Sequence, residues 1–367
     1  MKKRNICIIS WYDADDVVNY GQILQAIAMS SILSEYSLSE IKFISYFPRD
    51  FKGLLRYVYK HLGLSNGHFI SYLRTLKTIR RCNRQFKVRL FRINNAKKLN
   101  RITKNVDVMI CGSDQIWHPS NYDEVFYLNF GPKEAVRIAF SASLPKTREE
   151  IMFSKQYLSI RKVISKIDHI AVREQSSVEF VKALSKKNVV SVLDPTLLVN
   201  KSLWKEIIEK CNVPEEYIFV YIPNGMNMGM VSFINEIKEK YGILNVLTLT
   251  TRGEKLCTNA INLGFVSLGE FLYLIKNAKT IVTSSFHAIV FSIIFHKEFY
   301  AYEVENNARG EDCRLRDILA TFGLDNRLAG NTDCDNIDYA RIDEILREKK
   351  ITSLSYLREF MGESFNG

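Results

Sequence analysis

Short apolar runs alternate along this chain with stretches whose apolar positions recur three and four residues apart, so buried strands alternate with amphipathic helices. In the first half the strands fall at Ile6–Ser10, Ile41–Tyr46, Val106–Cys111, Arg137–Ser141, His169–Val172 and Val189–Leu193. A helix over 20–34 buries Ile23, Leu24, Ile27, Ala28 and Ile32. Asp194-Pro195 closes this set, because proline biases the residue before it away from helix. A helix around Trp204–Lys210 and Pro214 lead into a second set of strands at Tyr217–Tyr221, Leu244–Thr248, Phe265–Ser267, Thr280–Thr283 and Phe299–Tyr302. Ser267 and Glu270 have capping-box spacing and open a helix over Phe271–Lys276. Apolar residues at 342, 345, 346, 354, 357, 360 and 361 suit a terminal helix docked on the body. The pattern predicts an α/β protein with two Rossmann-like domains and a cleft between them.

The stretch KTIVTSSFHAIVFSIIF, Lys279 to Phe295, concentrates this logic. It reads as a strand, a polar break at Ser284, Ser285, Phe286 and His287, and then an apolar helix. Free backbone N–H groups at such a break bind anions, and an imidazole there can donate, accept or carry a proton. The plainer alternative is a serine cap and a structural histidine.

Ligands of open α/β sheets bind beyond the carboxyl ends of the strands. After the first strand come Asp15-Asp16-Val17-Val18 and then Asn19, Tyr20, Gly21 and Gln22. After Val106–Cys111 come Gly112, Ser113, Asp114, Gln115, Ile116, Trp117 and His118, a glycine-started polar turn of the kind that holds phosphates or sugars. An Asx-type turn closed by Asp114 is the bland reading. Arg173 and Glu174 follow the fifth strand and Asp194 the sixth. Arginine there suits bidentate binding of a carboxylate or phosphate, or else a surface ion pair with Glu174. Arg309, Glu311, Asp312, Arg314, Arg316 and Asp317 form a charged cluster after the last strand. Neither a GxGxxG fingerprint nor a P-loop is present.

Composition narrows the class. At 367 residues two domains are the default, and 47% hydrophobic with 25% charged residues suits a globular protein. No apolar run approaches the ~20 residues that span a bilayer, and the start MKKRNICIIS reads as a first strand rather than a signal peptide. The expected location is cytoplasmic. Seven scattered cysteines and six dispersed histidines show no metal-ligand spacing, so no metal or cofactor is expected. The net charge of +11 is uneven, since residues 71–106 hold twelve lysines and arginines and no acidic residue. Just upstream, Phe51 to Leu64 interleaves aromatics and leucines with basic residues. A solvated helix face is the plain explanation. Contact with an anionic membrane face or an anionic acceptor is the functional one, ahead of nucleic acid.

These pieces, in this order, resemble the polysaccharide pyruvyl transferase family. The matching stretches are NYGQILQAIAM (19–29), GSDQIWHP (112–119), RIAFSASLP (137–145), VREQSSVEFVKAL (172–184), LDPTLLVNKSLW (193–204), the run 271–302 around TSSFHA, and CRLRDIL (313–319) followed by Arg327. Ala288 stands where glycine is usual, and Leu144-Pro145 where an aromatic and glycine are. The resemblance implies a GT-B-like fold, with an acceptor-side domain over 1–195 that includes a basic 71–104 insertion. A donor-side domain over 196–340 and a helical tail over 341–367 would follow. It also implies transfer from phosphoenolpyruvate to a sugar hydroxyl pair of a surface polysaccharide, without a cofactor. Arg173, Ser284, Ser285, Phe286 and Arg314 would bind the donor. His287 would transfer the proton, with Asp194 or Asp114 as acceptor-side carboxylate. Asn19, Tyr20, Gly21, Gly112, Ser113, Gln115 and Trp117 would bind the acceptor. A lipid-linked acceptor and peripheral contact with the inner membrane face are further expectations; no nucleic-acid partner is. The rivals are a nucleotide-sugar glycosyltransferase of the same fold and a non-catalytic carbohydrate- or nucleic-acid-binding protein.

Overall fold

The computed structural model describes residues 4–12, 19–46, 66–93, 95, 97–144, 148–223, 228–249, 260–303, 313–328 and 335–361. Asp15–Val18, the aromatic-basic stretch 51–64, and Arg309, Glu311 and Asp312 lie outside the described residues.

The first half runs β1 (Ile6–Ile9), α1 (Tyr20–Ser34), β2 (Ile41–Tyr46), α2 (Asn66–Gln85), β3 (Val88–Ile93), α3 (Lys97–Ile102), β4 (Val108–Cys111) and β5 (Val136–Ala142). It continues with α4 (Arg148–Met152), α5 (Tyr157–Ile164), β6 (His169–Val172), α6 (Val178–Ser185) and β7 (Val189–Ser191). These strands form one parallel seven-stranded sheet in the order β3-β2-β1-β4-β5-β6-β7. The second half runs α7 (Pro195–Leu198), α8 (Lys201–Ile207), β8 (Ile218–Tyr221), α9 (Met228–Tyr241), β9 (Val246–Thr248), β10 (Ala260–Asn262) and α10 (Leu268–Asn277). Then come β11 (Thr280–Thr283), α11 (Phe286–Ile294), β12 (Glu298–Ala301), α12 (Cys313–Phe322) and α13 (Tyr339–Met361). Its parallel sheet has the order β10-β9-β8-β11-β12. Both orders reverse once, between β1 and β4 and between β8 and β11, and at such switch points the flanking crossovers diverge and leave a crevice.

Two readings change. The basic 71–104 segment is no insertion, because it carries the end of α2, the edge strand β3 and α3 within the first sheet. Strand β3 went unseen because Arg89 and Arg92 interrupt its apolar run and face outward, which an edge strand tolerates. Phe265–Ser267 is not a strand, and Ala260–Asn262 takes the edge instead. Ser267 caps α10 through the capping box with Glu270, and the backbone N–H and carbonyl of Val266 both bind the Tyr20 hydroxyl.

Tyr20 stacks on Phe271 at 4.2 Å between ring centroids and on Phe265 at 5.9 Å, joining the start of α1 to the second sheet's layer. One buried apolar cluster runs continuously through α1, α7, α8, α10 and α11 between the sheets, and two smaller clusters lie on the outer faces. The last helix returns to the first sheet: Ser353 Oγ accepts from Leu193 N–H at 3.1 Å, and Phe360 stacks on His169 at 3.6 Å. Arg327 is buried, donating to Glu298 at 2.7 Å under β12 and to the Asp335 carbonyl, so it braces the fold. No described helix is long and apolar enough to cross a membrane.

Candidate functional site

The two switch points supply the two halves of a buried polar cluster. From the first sheet come the turn after β4, Arg173 and Glu174 after β6, and Asp194 after β7. From the second come Ser284 and Ser285 between β11 and α11, and Phe286 and His287 in the first turn of α11. Gly112 starts the β4 turn with φ 130°, and a Cβ there would lie 2.0 Å from the Phe140 carbonyl oxygen, so only glycine fits.

Asp194 is the hub. Its Oδ1 accepts from Thr196 N–H at 3.0 Å and Thr196 Oγ1 at 2.7 Å, which caps α7. Its Oδ2 accepts from Ser113 Oγ at 2.9 Å and Arg173 Nη1 at 3.1 Å, and stands 3.6 Å from His287 Nε2. The last separation is an ion-pair distance rather than a hydrogen bond. Burial pushes the Asp194 carboxyl up, but His287, Arg173 and Thr196 outweigh it and hold the group well below the usual carboxylate range.

Arg173 also donates from Nε to Glu174 Oε1 at 3.0 Å, and its guanidinium lies 3.9 Å from the Phe286 ring centroid. Burial would lower its pKa, yet the charges of Glu174, Asp194 and Asp114 raise it above the ordinary arginine value. The ion pair with Glu174 therefore exists, but it is buried rather than at the surface. Glu174 further accepts from Ser143 Oγ at 2.7 Å and Leu144 N–H at 3.1 Å.

Three polar atoms of this cluster are buried with no hydrogen-bond partner: Arg173 Nη2, Ser284 Oγ and His287 Nε2. Buried unpaired donors are rare and costly, of order 1–3 kcal/mol each. Their coincidence at the facing ends of two sheets marks the place where a ligand's acceptor atoms would be stabilised most. Ser285 caps α11, accepting from Ala288 N–H at 3.4 Å, so the serine-cap reading also holds for that residue.

The remaining predicted residues divide. Gln115 meets Arg314 across the cleft: with its amide oxygen turned to the guanidinium it accepts from Nη2 at 2.6 Å and Nε at 3.0 Å. Asp114 is buried at φ 69°, near enough to Arg173 to act on its charge. Gly21 packs directly on the His287 ring. Three residues expected on the acceptor side have polar groups engaged by the protein itself. Trp117 lies in the core, stacked on Tyr127 at 5.3 Å with its indole N–H given to the Phe126 carbonyl. Tyr20 is an interdomain packing residue with its hydroxyl engaged by Val266. Asn19 caps α1, accepting from Gln22 N–H at 3.3 Å. Asp194 has both oxygens engaged, one by Thr196 and the other by Ser113 and Arg173.

The supporting residues escaped the sequence reading. Gln25 accepts from Ser113 N–H at 3.2 Å and donates to Ser10 Oγ at 3.1 Å, and Ser141 Oγ lies 3.2 Å from Ser113 Oγ. The signal for Gln25 was its amide within the otherwise apolar stripe of α1, three residues after Gln22.

Two parallel α/β sheets facing each other, with a buried polar cluster at their opposed switch points, define a GT-B-like protein. The likeness to solved structures agrees. The chain aligns over its full length, at 11% identity and TM-score 0.55, with all of a UDP-N-acetylglucosamine 2-epimerase. It aligns over 97% of its length with 91% of MnaA from S. aureus in complex with UDP, at 10% identity and TM-score 0.52. With Arabidopsis thaliana UGT89C1 complexed with UDP-L-rhamnose it aligns over 98% of its length and 99% of that chain, at 9% identity and TM-score 0.51. At these identities the likeness concerns the fold. No curated protein sequence matches. The polysaccharide pyruvyl transferase family profile matches residues 19–306, and the chain belongs to that family.

Proposed function

We propose that the cleft transfers the enolpyruvyl group of phosphoenolpyruvate to two hydroxyls of one sugar unit, forming a pyruvate ketal. The observation that supports this is the trio of unpartnered buried polar atoms, Arg173 Nη2, Ser284 Oγ and His287 Nε2. Phosphoenolpyruvate carries its phosphate ester and its carboxylate on the same carbon, and these three groups together with the amino end of α11 suit such a compact anion. Arg173 is outweighed by its two partners Glu174 and Asp194, so a donor anion calls for further positive charge, which a proton carried by His287 and the Arg314 guanidinium would supply.

In this reading His287 gives its proton to the donor's methylene carbon, which becomes methyl, and the adjacent carbon becomes electrophilic. A first sugar hydroxyl adds there. A second hydroxyl displaces phosphate and closes the ketal, so that one hydroxyl proton restores His287 and the other leaves with phosphate. Asp194, beside Nε2, stabilises the imidazolium and holds the ring; Asp114 is the carboxylate left to take the second hydroxyl's proton and pass it to the departing phosphate.

The test is release of inorganic phosphate from phosphoenolpyruvate with a saccharide acceptor, together with the mass gain of a pyruvyl ketal on that acceptor. His287→Ala should abolish both while the protein stays folded. Release of a nucleoside diphosphate from a nucleotide sugar instead would assign the chain to the glycosyltransferase rival.

A further inference from the structure

The outward face of α2 is apolar at its amino end and cationic along the rest. Phe69, Ile70 and Leu73 are 52%, 52% and 47% exposed, a cluster of bare apolar side chains within two turns of one helix. At helical spacing the same face continues into Lys77, Arg80 and Arg84, all exposed. The opposite face is fixed in the body, because Thr75, Thr78, Ile79 and Cys82 are buried. Two neighbouring cations are engaged with the protein, Arg74 with Glu270 at 2.7 Å and Arg81 with the Glu206 carbonyl at 2.9 Å. Lys77, Arg80 and Arg84 form no ion pair among the described residues. Exposed Arg89, Lys97 and Arg101 extend the basic surface over β3 and α3, and no acidic residue occurs between 71 and 106 to offset it.

We propose that this face docks the protein on an anionic bilayer. Phe69, Ile70 and Leu73 enter the headgroup boundary, and Lys77, Arg80 and Arg84 meet the lipid phosphates. Nucleic-acid phosphates would account for the cations but would leave the apolar turn facing water. The inference does not depend on the donor or the reaction, yet it bears on both. Helix α2 ends two residues before β3 begins, so in this parallel sheet its amino end points to the carboxyl edge, the edge that carries Ser113 and Arg173. Thr75 Oγ1 accepts from Leu268 N–H at 3.1 Å, which ties the middle of α2 to the second sheet's layer. A bilayer held there lies at the cleft's edge, where an acceptor on a lipid anchor would arrive.

Flotation with vesicles of mixed phosphatidylglycerol and phosphatidylcholine tests this against vesicles of phosphatidylcholine alone. The protein should float with the anionic vesicles, and less so as salt rises. The combined Lys77→Gln, Arg80→Gln, Arg84→Gln variant should lower partitioning about a hundredfold, and Phe69→Ser, Ile70→Ser, Leu73→Ser should also release the protein. Phe153→Ser, at a side chain 88% exposed on a different surface, should leave partitioning unchanged. Circular dichroism should show all variants folded, since none of these side chains is buried. The proposal is overturned if the wild-type protein ignores anionic vesicles or if Phe153→Ser weakens binding as much as the α2 variants do. It is equally overturned if a short DNA duplex binds more tightly than the vesicles through the same cations, or if the serine variant's effect is to dissociate a dimer.

Discussion

Gly21 yields its side-chain space to His287: a Cβ at this position would lie 2.0 Å from imidazole Nδ1 and 2.4 Å from Cγ. The ring is thus held between the first turn of α1 and Asp194, with Nε2 3.6 Å from the carboxylate. Gly21→Ala must push the imidazole aside, and a displacement of about 1 Å at a reacting group costs roughly a hundredfold in rate. Alanine favours helix by about 1 kcal/mol over glycine, which offsets part of the about 1–3 kcal/mol that overpacking costs. The expected result is a kcat about a hundredfold lower with a melting temperature lowered modestly at most, and an unaltered kcat would show that the ring's position is immaterial.

Arg173 holds two buried carboxylates at once, Glu174 and Asp194. The sequence suits Arg173 to donor binding or to a surface ion pair with Glu174, and the structure shows a buried pairing with both acids. Arg173→Ala would leave both acids without a counter-charge and should destabilise the fold by about 3–5 kcal/mol. Arg173→Lys should recover only part of this, since a point charge cannot bridge both acids and stack on Phe286. Urea unfolding measures both. Wild-type stability with only a raised KM for phosphoenolpyruvate would mean the guanidinium serves the ligand alone.

The elements that carry the site were legible because strand ends and caps leave local marks. Ser267 and Glu270 form the capping box their spacing announces, and the break expected over Ser284 to His287 is shorter, Ser284 and Ser285, with Phe286 and His287 already in α11. What stayed hidden depends on tertiary placement. Nothing local distinguishes Trp117, whose indole N–H meets the Phe126 carbonyl, from an aromatic platform for a sugar. Tyr20 is polar enough to suggest a ligand, and only the approach of Val266 from more than two hundred residues away assigns its hydroxyl to packing. Asp194 reads from sequence as the residue where proline closes the first set; the helix cap made by its Oδ1, and the gathering of Ser113, Arg173 and His287 around its second oxygen, come only with the fold.

Asp194 should make stability depend on acid. Its carboxyl is held well below the usual range in the folded protein and returns to about 3.9 when unfolded. Its contribution is therefore complete above pH ~4 and is lost as pH falls, because the unfolded chain then takes up a proton that the folded one refuses. Asp194→Asn has no such group. The stability gap between wild type and Asp194→Asn in urea titrations should be constant from neutrality to pH ~4.5 and narrow by up to ~1.4 kcal/mol per pH unit below pH ~4. A gap that stays constant to pH 3 would contradict a depressed Asp194.

Gln115 and Arg314 connect the β4 turn of the first sheet to α12 after the second. Arg314 is only partly buried, so Arg314→Ala should cost less than ~2 kcal/mol of stability. In the proposed reaction its charge acts on the bound donor before and during chemistry alike, which is uniform binding, so its loss raises KM and spares kcat. A tenfold or greater rise in KM for phosphoenolpyruvate is expected, with kcat within about threefold of wild type. Gln115→Ala removes only the amide that steers the guanidinium and should give a smaller shift in the same direction. If Arg314→Ala instead lowers kcat while KM holds, the guanidinium acts on the transition state and not on donor capture.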